Sequence, residues 1–178
     1  MADKEPIVTT NLDRYGNAPL PWSRAHDILA APPKPVVPDK DARGYLGTTR
    51  PDGRPHSAGV GAFWHDGDIY FTSSPESRKS RNLAANPSAT ITMGLPGLDL
   101  VLEGEATRVT DRQTLETIAA LARQGGWPAE VEGDAFTAPF SAPSAGPPPW
   151  HLYRFTYHTA FGVAMTEPWG ASRWRFDR

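Results

Sequence analysis

The 178-residue sequence predicts a mainly β protein whose strands close, or partly close, into an antiparallel barrel. Three observations carry this expectation. Five or six segments have strand character, rich in β-branched, aromatic or alternating residues. Tight-turn signals separate many of them: Arg50-Pro51-Asp52-Gly53-Arg54-Pro55, His65-Asp66-Gly67-Asp68 and Pro96-Gly97. Only Asp111 to Arg123 carries a sustained helical stripe, and frequent tight turns favour a barrel over a parallel α/β sheet.

In chain order, residues 1–22 are polar and contain proline, and are expected to form a flexible arm ahead of a single domain over 23–176. Ser23 is a candidate cap for a short helix from Arg24 to Ala30, with Ile28 and Leu29 on its buried side. Pro32-Pro33-Lys34-Pro35 ends that helix, and an extended connector follows through Pro38. Gly44 to Thr49 is the first barrel strand, and His56 to Trp64 returns along it. Gly59 and Gly61, with Ala58 and Ala62, strip that return strand of side-chain bulk. Such a stretch marks either a bulge or barrel bend, or the close approach of a ligand.

Ile69 to Ser73, Ala89 to Leu95 and Asp99 to Val109 continue the strands. In the last, Leu100, Leu102, Gly104 and Ala106 share one face. Asp111 caps the helix that buries Leu115, Ile118, Ala119, Leu121 and Ala122, and Gly125-Gly126 stops it. Residues 125–149 read as an irregular Pro/Gly-rich loop. Trp150 to Met165 is a final long strand with Tyr153, Phe155 and Tyr157 on one face, and the tail alternates cation and aromatic through Arg173-Trp174-Arg175-Phe176.

Composition narrows function. A net charge of −2 opposes a general nucleic-acid binder. The absence of cysteine removes thiol nucleophiles, disulfides, Fe–S clusters and cysteine-based zinc sites. His56, His65, His151 and His158 lack the paired spacing of a metal site, so no metal is expected. No secretory signal pattern and no apolar run of about eighteen residues is visible, so a cytoplasmic protein away from membranes is expected.

The chemistry concentrates in Thr72 to Pro87, TSSPESRKSRNLAANP. An apolar strand runs out into hydroxyl residues, three cations follow (Arg78, Lys79 and Arg81), and then comes a short helical pattern, Leu83-Ala84-Ala85, stopped by Asn86-Pro87. Helix N-termini present orphan N–H groups and the positive end of the dipole, and arginine grips phosphate with paired hydrogen bonds. This combination points to a phosphorylated ligand, most naturally a cofactor; the alternative is a solvated basic turn.

Taken together, Gly47-Thr48-Thr49-Arg50-Pro51-Asp52-Gly53-Arg54-Pro55-His56, Ile69 to Thr72, and Ser77-Arg78-Lys79 with Asn82-Leu83 and Asn86-Pro87 resemble the flavin-binding split-barrel family. That family includes pyridoxamine 5′-phosphate oxidase and flavin- or deazaflavin-dependent oxidoreductases. The resemblance implies a six-stranded, Greek-key split barrel that forms a homodimer with two cofactor sites at the subunit interface. It implies FMN or the deazaflavin coenzyme F-420 as cofactor, with Arg78 and Lys79 on its phosphate and Ser73, Ser74 and Ser77 assisting. The ring would lie beside Ser57, Ala58, Gly59 and Val60, and Arg173 or Trp174 would reach the partner's site. The oxidase's C-terminal substrate segment is not recognisable, so hydride transfer to or from another small conjugated substrate is expected rather than pyridoxine phosphate oxidation. The alternative is a non-catalytic carrier or sensor of flavin, deazaflavin or haem on the same fold.

Overall fold

The computed structural model describes residues 4–31, 44–142 and 145–177. The extended connector expected after Pro32 lies outside the described residues. Fourteen elements follow in the order β1 (Val8–Asn11), α1 (Ser23–Leu29), β2 (Gly44–Thr49), β3 (Pro55–Val60), β4 (Ala62–His65), β5 (Asp68–Ser73), α2 (Arg78–Ala85), β6 (Ser88–Leu95), β7 (Leu98–Val109), α3 (Arg112–Gln124), β8 (Glu130–Glu132), β9 (Ala135–Thr137), β10 (His151–Ala164) and β11 (Ala171–Arg175).

The long strand β10 organises the barrel. It pairs antiparallel with β7 from Leu152 to Ala164, while its other edge takes β5 along its first third and β11 near its end. From β7 the sheet continues through β6 and β2 to β3. The chain leaves β3 at Gly61 and re-enters as β4, which pairs with β5, and β5 returns to β10. Counting β3 and β4 as one bent strand, six strands go round, with the split where β3 and β4 part company. The expected single return strand from His56 to Trp64 is therefore broken at Gly61, which marks the barrel bend, while Gly59 lies within β3.

Alternation places the core. Leu46, Ile91, Leu100, Leu102, Phe155 and Tyr157 point inward and are buried together. A second cluster lies outside the barrel, where α3 sets Leu115, Ile118, Ala119 and Ala122 against Tyr70, Leu152 and Phe136. Asp111 caps α3 by accepting the Thr114 N–H at 2.8 Å. Glycine is required at 104: a Cβ there would overlap the Thr156 carbonyl oxygen and sit 2.7 Å from Tyr157 Cα. The β7–β10 register shifts beside this contact, between Tyr157 and Thr159.

Three expectations need correction. Residues 4–22 are anchored at two places rather than free: β1 extends the sheet along β11, and Leu20 and Trp22 lie in the barrel core, while most residues between them stay exposed. Strand addition by main-chain bonds leaves little side-chain pattern, and a polar strand of four residues hides it. Ser23 does not cap α1, since Trp22 holds the cap position with no side-chain hydrogen bond. Within 125–149, β8 and β9 form a hairpin turning at Gly133 (φ +61°), and Phe136 exchanges backbone bonds with Trp150.

Candidate anion-binding site

The site is built where β5 ends. Ser77 caps α2 with an extended backbone, its hydroxyl accepting the Ser80 N–H at 3.2 Å. Ser73, Ser77 and Ser80 bring their hydroxyls into a triangle with sides of 2.7, 3.1 and 2.9 Å, and the Ser80 hydroxyl lies 2.8 Å from the Ser74 carbonyl oxygen. Ser73 and Ser80 are buried. Ser73 thus fastens the turn from within, and its hydroxyl is not open to a ligand as expected. Ser74 accepts the Glu76 N–H at 3.3 Å and, like Ser77, stays half-exposed.

The cap fixes where the helix is positive. The Ser77 hydroxyl and carbonyl take the N–H groups of Ser80 and Arg81. The N–H groups of Arg78 and Lys79 stand at the first two helical positions, ahead of the helix's own acceptors. No acidic residue lies in this first turn. Lys79 is half-buried, and burial alone holds its ammonium below the ordinary lysine range. A neighbouring carboxylate would do the reverse.

Two elements beyond α2 complete the charge. Asn82, fully buried, donates from Nδ2 to Thr48 Oγ1 at 2.9 Å and ties α2 to β2. Thr48 Oγ1 lies 3.4 Å from His56 Nδ1 on β3. Burial first, then the charges of Arg50, Lys79 and Arg78, hold His56 below the usual imidazole range. In the β2–β3 turn the Arg54 charge is matched by Asp52 at 2.7 Å. The Nε of Arg50, by contrast, is buried with no hydrogen-bond partner among the described residues. A half-desolvated lysine, an arginine with an orphaned Nε, a second arginine and a helix N-terminus converge here, an arrangement that favours a bound anion.

Next to the charges runs a cleft of about 710 Å³, lined by Tyr45, Thr48, His56, Ser57, Thr90 and Glu103 among others. Ser57 lines it; beyond, Gly59 is also exposed, while Val60 turns into the core. A Cβ added at Gly59 or Gly61 would meet nothing within 4 Å. β3 ends the sheet path, so its outer edge has no second ladder partner among the described residues. Alternate main-chain N–H groups along that edge therefore make no ladder bond among the described residues.

The tail residues separate. Trp174 is fully buried, donates from Nε1 to the Leu20 carbonyl at 3.2 Å and packs edge-on against Trp22. Its side chain belongs to the core and has no surface to offer a partner. Arg173 is on the outer face. Strand register sets Thr10, Arg173, Phe161, Val101, Thr92, Tyr45 and Gly59 in one lateral row across seven strands. That row holds half-buried Phe161 and Val101 and exposed Tyr45, and exposed Val163 lies in the adjacent row. Arg173 and the glycine edge of β3 therefore lie at opposite ends of one partly apolar face.

Arg50, His56, Thr48, Ser80 and Asn82 were not singled out from sequence as cofactor-binding residues. Their signal lay in the hairpin motif and in Asn82 recurring one turn after Arg78.

The fold is a split barrel, with a cluster of cations at a strand-to-helix turn as its candidate anion site. The family model described as pyridoxamine 5′-phosphate oxidase matches residues 38–163, and the chain belongs to that family. Solved structures agree on the fold. One titled F420 reductase is 19% identical with a TM-score of 0.51, covering 80% of this chain and 98% of its own. A pyridoxamine 5′-phosphate oxidase-related, FMN binding protein from Nostoc punctiforme is 18% identical with a TM-score of 0.54, covering 89% and 98%. A putative pyridoxamine 5′-phosphate oxidase from Listeria innocua is 18% identical with a TM-score of 0.52, covering 78% and 94%. No curated protein matches the chain.

Proposed function

We propose that this protein is an oxidoreductase that uses FMN or the deazaflavin coenzyme F-420 to move a hydride to or from a small conjugated substrate. The carrying observation is the cluster of Arg50, Arg78 and half-buried Lys79 at the N-terminus of α2, whose first turn holds no acidic residue, next to a strand with little side-chain bulk. The ribityl phosphate common to both cofactors would sit in that cluster, where charge and helix N-terminus favour an anion. Arg78 and Lys79 would hold it by charge, with Ser74 and Ser77 at its margin.

When bound, the ring system supplies the hydride acceptor and donor. This chain's residues supply placement and polarity. Ser57 to Val60 offer a flat surface, since only a hydroxymethyl, a methyl and a hydrogen precede the inward valine. Free N–H groups on the β3 edge would stabilise negative charge on the reduced ring. A planar substrate would enter the cleft beside Tyr45 and Ser57.

The exposed face carrying Tyr45, Val101, Phe161 and Val163 supports a homodimer. A two-fold pairing of this face is self-complementary and would carry the partner's Arg173 toward the β3 edge. Anaerobic reduction of the bound cofactor, followed by mixing with a panel of quinones and unsaturated carbonyl compounds, tests the reading. Substrate-dependent reoxidation, at a rate dependent on substrate concentration, supports turnover. A reduced cofactor that no member of the panel and no oxygen can reoxidise overturns it in favour of a carrier.

A further inference from the structure

The charge cluster contains one group that ordinary cradles lack: a titratable imidazole among fixed cations. His56 lines the cleft from β3, and its Nδ1 is 3.4 Å from Thr48 Oγ1. Thr48 is held by buried Asn82, which sits on the same helix as Arg78 and Lys79. We propose that a phosphate-bearing ligand draws one proton from solvent onto His56, which then serves as a further cation of the cradle. This rests on the reading of the cradle as a phosphate site and adds to it a proton-linked binding residue.

The surroundings of His56 explain why the ligand controls the proton. Arg50 from the turn, and Lys79 and Arg78 from α2, are the charges that bear on the ring, and with burial they keep it neutral near pH 7. Glu103 of β7 and His158 of β10 line the same cleft, but neither is among the charges that shift His56. A dianion placed among the three cations offsets most of their repulsion of the imidazolium and adds its own attraction, so it raises the pKa of His56. Thr48 accommodates both states, because a hydroxyl carries one donor and two acceptor lone pairs. A carboxylate at position 48 would have fixed His56 as a permanent cation. Asn82 and Thr48 act here as positioning residues that hold the ring beside the cradle.

The sign is fixed by linkage. Ligand affinity rises as pH falls through the ligand-bound pKa of His56 and levels off below its ligand-free pKa. The window closes near pH 6, where the second ionisation of a phosphate monoester begins to remove ligand charge. Each unit by which the ligand raises the His56 pKa is about tenfold in affinity.

The experiment is titration calorimetry of the full chain with FMN between pH 6.5 and 8.5, each point in two buffers of different protonation enthalpy. The wild type is expected to bind roughly tenfold more tightly at the lower pH and to take up a fraction of a proton per FMN. His56→Gln keeps a polar partner for Thr48 and should bind with little pH dependence and no proton uptake. His56→Arg should bind tightly and without proton uptake. Wild-type binding without proton uptake overturns the inference, and so does uptake that persists in His56→Gln. If FMN does not bind, the FMN half of the reading fails separately, and millimolar inorganic phosphate becomes the probe. Phosphate binding with His56-dependent uptake upholds the inference, and the absence of phosphate binding overturns it too.

Discussion

Lys79→Met separates the cradle's function from its cost to the fold. The substitution keeps the unbranched stem of a half-buried side chain and deletes an ammonium that burial alone perturbs, with no compensating carboxylate. In the cofactor-free protein the charge is held against its desolvation penalty, so its removal should not destabilise. A gain of about 0.5–1 kcal/mol corresponds, for a domain of this size, to a Tm rise of roughly 1–4 °C. Cofactor binding moves the other way. A charge-assisted hydrogen bond to phosphate contributes about 1.5–3 kcal/mol, so Kd should weaken roughly 10- to 150-fold. Thermal melts without cofactor, combined with fluorescence titrations against FMN and F-420, measure both quantities on one sample. A Tm several degrees lower, with affinity unchanged for whichever cofactor binds, would refute the reasoning and make Lys79 a structural residue.

Other consequences follow from the same geometry. Because His56 and His151 are both held below the ordinary histidine value by burial first, the unfolded chain binds more protons than the fold in mildly acid solution. Cofactor-free stability should therefore fall as pH drops below about 6.5, and the double variant His56→Gln/His151→Gln should flatten that slope in urea titrations. Gly104→Ala drives a methyl into the backbone of Thr156 and Tyr157 and should cost about 1–3 kcal/mol or more, seen as a lowered urea midpoint. Phe161→Glu, at the middle of the proposed dimer face, should yield monomers by light scattering at micromolar concentration, with far-UV circular dichroism unchanged.

Much of the barrel was legible because its strands obey a period of two. Leu100, Leu102 and Ala106 announced the inner face of β7, and the Asp66-Gly67 and Asp52-Gly53 pairs announced their hairpins. Both Asp66 and Gly67 take positive φ (52° and 81°), as a two-residue hairpin turn demands. The cap at Asp111 was readable for the same reason, since local chemistry decides it. The second helix was expected only at Leu83-Ala84-Ala85, and α2 begins five residues earlier, at Arg78, because Ser77 caps it.

What stayed hidden depends on contacts between segments far apart in sequence. The β1–β11 pairing joins residues about 160 positions apart through main-chain bonds, which polar side chains do not advertise. Trp174 looked like a reaching aromatic in a basic tail. It is core because Gly162, across the β10–β11 pair, makes room for its ring; a Cβ there would lie 2.5 Å from Trp174 Cη2. Ser73 and Ser77 looked alike in sequence, yet only Ser77 keeps its side chain at the surface. His56 gains its character from Arg50, Arg78 and Lys79, charges that arrive from two other elements.

The central claim is that the α2 cradle holds the phosphate of a flavin-type cofactor. Parallel equilibrium titrations with FMN and F-420, repeated on Arg78→Ala and Lys79→Ala, test it most directly. The account predicts micromolar or tighter binding of at least one cofactor, weakened at least tenfold by each variant. No binding of either cofactor at concentrations well above micromolar, or binding that both variants leave intact, would contradict it.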